Sequence, residues 1–140
     1  MKTLNILIKV QKQKLDIVRR NLAGLESQVA QLEILDTNLE KDLAEEIKLA
    51  DSSAELSGFF GDYIKRVRQR QDRIRSEIRE LNIQIEMARE AVRAEYSEQL
   101  KYEQLLERKI EEAKQETERI EDIEMDDIAV RQHMRQEEVE

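Results

Sequence analysis

At 140 residues, with 40% of them charged, no proline, no tryptophan and 4% aromatics, the chain lacks the bulky apolar material of a single globular core. Yet 39% hydrophobic residues, recurring at regular spacing, are too many for a disordered chain. The absence of cysteine removes disulfides, thiolate metal sites and cysteine nucleophiles together and fits a cytoplasmic setting. A net charge of −8 argues against nucleic acid and for protein partners.

The opening MKTLNILIKV is interrupted by Asn5 and Lys9 before it reaches the length of a signal-peptide core or a membrane span, so the chain is expected to meet membranes only through partners. From Leu4 a 3,4 spacing runs through Ile8, Gln11, Leu15, Val18, Leu22, Leu25, Val29, Leu32, Asp36, Leu39, Leu43 and Glu46 to Ala50, eleven apolar residues in fourteen seam positions. This predicts helix one over about 3–50. Gly24 costs about 1 kcal/mol in a helix, less than its flanking leucines return on packing.

Residues 51–61 hold the only cluster of breakers. Ser52 with Glu55 forms a capping box, Gly58 and Gly61 permit positive φ, and Asp62 caps the next helix. A turn is expected there, with helix two over about 62–135. Its seam reads Ile64, Val67, Gln71, Ile74, Ile78, Leu81, Ile85, Ala88 and Val92. Past Val92 the register lands on Glu95 and Gln99 while Tyr96 and Leu100 sit one residue later, which predicts a drifting stripe.

Charge selects the pairing. Residues 33–50 carry a net −4 and residues 62–79 a net +4, so an antiparallel hairpin sets opposite charges side by side, whereas a parallel dimer would set each block against itself. The expected fold is therefore all-α, a long two-helix antiparallel coiled-coil hairpin with a longer second helix. A turn centred near residue 56 places residue 1 beside residue 111, leaving an overhang of about 40 Å. That overhang keeps Ala113, Ile120, Ile123, Ile128, Val130 and Met134, apolar residues that call for a socket on another protein.

No site for chemistry emerges. A lone His133 without cysteine does not make a zinc site, and the acidic run 116–127 lacks a glycine-centred calcium loop, so no metal is expected. The three glycines match no nucleotide-binding spacing, so no cofactor is expected either. A two-helix hairpin offers no concave, water-excluding pocket in which carboxylates are tuned for acid/base work, so the chain is expected not to be an enzyme. The basic block Lys65–Arg79 is explained as the complement of the acidic block on helix one. Phe59, Phe60, Tyr63 and Ile64 cluster at the tip and admit two readings, a plug where the helices part or an anchor for a partner.

The size, the cysteine-free hairpin, the run Phe60, Tyr63, Ile64, Val67 after the turn, and the ending that carries Glu121, Met125, Asp126, Asp127, Ile128, Ala129 and Arg131 together resemble the flagellar type III export protein FliJ family. The resemblance implies a non-enzymatic stalk, similar to the central coiled coil of rotary ATP synthases, at the cytoplasmic face of the flagellar basal body. Its implied partners are the export ATPase hexamer, the membrane export gate protein and export chaperones. Carried onto this chain, Phe59, Phe60, Tyr63, Ile64 and Val67 face the gate, and Ile120, Ile123, Asp126, Asp127, Ile128, Arg131 and Arg135 enter the ATPase ring. Arg70 and Gln71 stand where the resemblance expects small or apolar residues. The alternatives are a stalk of a virulence type III secretion system, or a coiled-coil scaffold or holdase chaperone with no ATPase partner.

Overall fold

A computed structural model describes residues 1–51 and 57–139 of the chain. Helix α1 spans Lys2–Asp51 and the longer α2 spans Ser57–Val139. The two pack against each other antiparallel, and no strand occurs among the described residues.

Two of the expected breakers do not break the helix. Gly61 and Asp62 lie inside α2, and no glycine among the described residues has positive φ. Asp62 is therefore not a cap, and the Ser52–Glu55 capping box falls outside the described residues. Glycine permits a left-handed backbone without requiring one. By staying helical, Phe60 and Tyr63 reach Leu49 and Ala50 at the end of α1, and that packing offsets the roughly 1 kcal/mol cost of a helical glycine.

The described residues fall into two compact units, one of residues 13–95 and one of residues 1–12 with 96–140. In the first, Val29, Leu81 and Ile85 form the buried centre, with Leu22, Leu25, Leu32 and Ile78 packed around it. Leu15 and Leu43 are almost completely enclosed. Thirteen of the fourteen expected seam positions of α1 are buried or half-buried, as are all nine from Ile64 to Val92, so the 3,4 spacing identified the inward face. The exception is Glu46, near the tip, which is exposed.

Polar seam residues set the register. Gln71 is wholly buried; its Nε2 donates to Glu40 Oε2 at 2.9 Å, and its Oε1 accepts from Arg68 Nη1 at 2.9 Å. The Arg68 guanidinium also donates to Glu40 Oε2 at 2.6 Å, and Arg75 Nε donates to Asp36 Oδ2 at 3.4 Å. These bonds join the acidic block of α1 to the basic block of α2, and the Gln71–Glu40 and Arg75–Asp36 pairs lie within one residue of the expected register. The Gln71 amide and then the Arg68 guanidinium hold the Glu40 carboxyl below the usual carboxylate range. The Arg68–Glu40 ion pair is exposed and contributes little energy, but a one-residue slip would strand the Gln71 amide in the seam.

Replacing Gln71 with leucine is accordingly expected to raise stability by about 1–2 kcal/mol, because Glu40 and Arg68 remain hydrated when the amide is gone. The same change should broaden the register. Disulfide trapping of the cysteine pair 36 and 75 against the slipped pair 36 and 72 would detect it, and an unchanged trapping ratio would show that Gln71 does not specify alignment.

In the second unit Leu4, Ile8 and Gln11 are buried on α1, and Gln99, Tyr102 and Leu106 are half-buried on α2. The stripe does not drift to Tyr96 and Leu100, which are exposed. The register instead continues through Glu95 and Gln99 to Tyr102 and Leu106. A 3.5-residue repeat continued past Val92 lands on these two polar side chains, which are half-buried, and leaves the two apolar ones exposed. Gln99 satisfies its amide nitrogen by donating to Glu103 at 3.0 Å.

Candidate protein-docking surfaces

At the tip the seam opens. Beyond Leu43 the next seam residue, Glu46, points to solvent, and a hollow of about 170 Å³ is lined by Glu46, Leu49, Ala50, Phe59, Phe60 and Tyr63. The Phe60 and Tyr63 rings lie 6.1 Å apart and tilted by 35°, an ordinary geometry for paired aromatics, and both residues are half-buried. Phe59 is 83% exposed. The cluster thus combines half-buried rings with one exposed ring. Phe60 and Tyr63 close the hollow, whereas Phe59 stands at its rim with most of its ring exposed. Ile64 is half-buried and Val67 is buried in the seam, so any part Val67 has at the tip is as packing.

The other surface is the end of α2. Leu106 is the last residue that anything covers; every described residue from Glu107 to Val139 is exposed, about 50 Å of helix at 1.5 Å per residue. Ile120, Ile123, Ile128, Val130 and Met134 are between 45% and 59% exposed, as on an uncovered helix. Ile120, Ile123 and Asp127 share one face. Asp126 and Arg131 border it, while Ile128 and Arg135 lie off it. Internal ion pairs are local: Arg119 binds Glu116 at 2.6 Å, which holds the Glu116 carboxyl below its ordinary range, and His133 lies 3.3 Å from Glu137.

Among the described residues no helix is long and apolar enough to cross a membrane, and no group of three His, Asp or Glu side chains is placed to hold a metal. The signal that locates both surfaces was in the sequence. What it did not separate was outward from inward at the tip, because the hollow exists only once the two helix ends meet.

Two long helices packed antiparallel along a 3,4 seam define the class of coiled-coil hairpins. The chain is a member of the FliJ family: the family model described as flagellar FliJ protein matches residues 1–138. Membership makes it a component of the flagellar export apparatus, within a structural rather than enzymatic family. No curated protein and no solved structure matches the chain.

Proposed function

We propose that the chain is a stalk of flagellar protein export, binding the export ATPase ring through the free arm of α2 and the membrane export gate through the tip. The observation that carries the reading is the uncovered arm: apolar residues at 45–59% exposure are retained where the hairpin itself has no use for them. A ring with an axial opening accommodates one unpaired helix, and the family's place in flagellar export favours the export ATPase over a virulence system. Escort of export chaperones, through the same exposed surfaces, is part of this reading. The working place is then the cytoplasmic face of the basal body.

Co-purification of the full chain with the export ATPase, together with a rise in the rate of ATP hydrolysis, tests the first contact; absence of both overturns it. For the gate, Phe59→Ala should leave the melting temperature within about 2 °C of the parent, because the ring is 83% exposed, while gate binding falls about tenfold. Phe60→Ala should lower the melting temperature as well, since its ring closes the hollow. If Phe59→Ala binds the gate normally, the tip aromatics are packing alone.

A further inference from the structure

The seam of α2 does not stop where α1 does. Counted onward from Val92 in the same 3,4 steps, its positions are Glu95, Gln99, Tyr102, Leu106, Lys109, Ala113, Glu116, Ile120, Ile123, Asp127, Val130 and Met134. Through Leu106 these face α1; from Lys109 they face solvent. The apolar members Ile120, Ile123, Val130 and Met134 are all exposed, on the face that is covered farther back along the same helix. Met125 and Ile128 are equally exposed but lie off it. An arm shaped only for solubility has no reason to hold a coiled-coil register beyond its partner.

The charges beside the middle of this stripe are acidic, with Arg131 the basic residue at its far end. Residues 116–127 carry seven carboxylates against Arg119 alone, and the Arg119 guanidinium is already engaged by Glu116. Glu124 and Asp126 occupy the flanking positions that in a coiled coil meet the partner's charges, and Asp127 stands in the seam itself. A second copy is a poor occupant. A parallel pair would set each acidic block against itself, and an antiparallel pair about the middle of residues 113–134 would set Asp126 opposite Glu121 and lay most of the two acidic runs on each other.

We infer that residues 113–134 are one half of a coiled coil whose missing strand is a basic amphipathic helix of another protein, docked on the face that α1 covers earlier in the same register. The partner helix presents apolar residues at 3,4 spacing, lysine or arginine at the flanks, and a hydrogen-bonding cation opposite Asp127. The inference rests on the reading of the free arm as a docking element, and adds the chemistry of what docks.

The test uses the full chain and two synthetic peptides of about four heptads, with leucine at every seam position and either lysine or glutamate at every flanking one. Fluorescence anisotropy should show the lysine peptide binding at least about tenfold more tightly than the glutamate peptide, the difference shrinking as salt is added. Ile123→Asp should weaken the lysine peptide about tenfold or more and Ile128→Asp less than about twofold, with circular dichroism unchanged for both. Equal binding of the two peptides, or equal damage from the two substitutions, overturns the inference. So does a concentration-dependent dimer in sedimentation that Ile123→Asp abolishes, which would assign the stripe to a second copy.

Binding of the same variants to the export ATPase separates this inference from the proposed function. If the parent chain binds the ATPase and Ile123→Asp does not disturb it, the docking mode fails and the stalk reading stands. If the parent does not bind the ATPase while the peptides discriminate as described, the stalk reading fails and the docking mode stands.

Discussion

Deleting residues 112–140 is expected to leave a folded hairpin that neither binds the export ATPase nor stimulates it. Every described residue beyond Leu106 is exposed, so the deletion removes no buried side chain among them, and the melting temperature should move by less than about 5 °C. The helical signal should fall only in proportion to the residues lost. Against that small structural effect stands complete loss of function at one end. The parent's ATPase stimulation should drop to the background rate of the ATPase alone, while gate binding through Phe59 should persist. Stimulation by the truncated chain equal to that by the full chain would show that the free arm is not the docking element.

The largest effect on stability is expected at Leu43, which is 1% exposed and is the last fully enclosed apolar residue of α1 before the tip opens. Leu43→Ala should cost about 2–4 kcal/mol, through the lost transfer energy and the cavity left where a two-helix seam has few neighbours with which to collapse. Ile34→Ala is the control: that side chain is 61% exposed, and its truncation should cost no more than about 0.5 kcal/mol. Urea unfolding gives both values, the midpoint shifting with the slope unchanged. Because the pairing is intramolecular, neither midpoint should depend on protein concentration. A cost below about 1 kcal/mol at Leu43 would mean that the hairpin is not closed next to its tip.

Residue spacing carried the architecture unusually far, because a coiled coil repeats one local rule. An α-helix returns to the same face every seven residues, so the run from Leu4 to Ala50 and the run from Ile64 to Val92 each announce their buried side without reference to anything distant. Charge then supplied the orientation, since the block containing Glu40 and the block containing Arg68 are compatible only antiparallel, and those two side chains meet at 2.6 Å. The uncovered arm followed from subtracting one helix length from the other. Each of these steps needs only sequence separation and the rise of a helix.

Three features were decided by the meeting of the helices. Whether Glu95 and Gln99 or Tyr96 and Leu100 enter the seam depends on whether supercoiling persists, a balance between the packing of Tyr102 and Leu106 farther along and the cost of holding polar groups inside; local hydrophobicity favoured the wrong pair. Whether Gly61 and Asp62 end a helix or continue one depends on the gain from Phe60 and Tyr63 reaching α1, which no local propensity contains. The difference between Phe59, mostly exposed at the rim of the hollow, and Phe60, half-buried over it, is set where the ends of α1 and α2 meet. The sequence by itself determined the periodicity, the polarity of the pairing and the unmatched length, all properties of a single repeating helix. The tertiary structure alone decided the occupants of the weakest seam positions and the division of the tip, because there the local preferences nearly cancel and contact with the other helix selects the outcome.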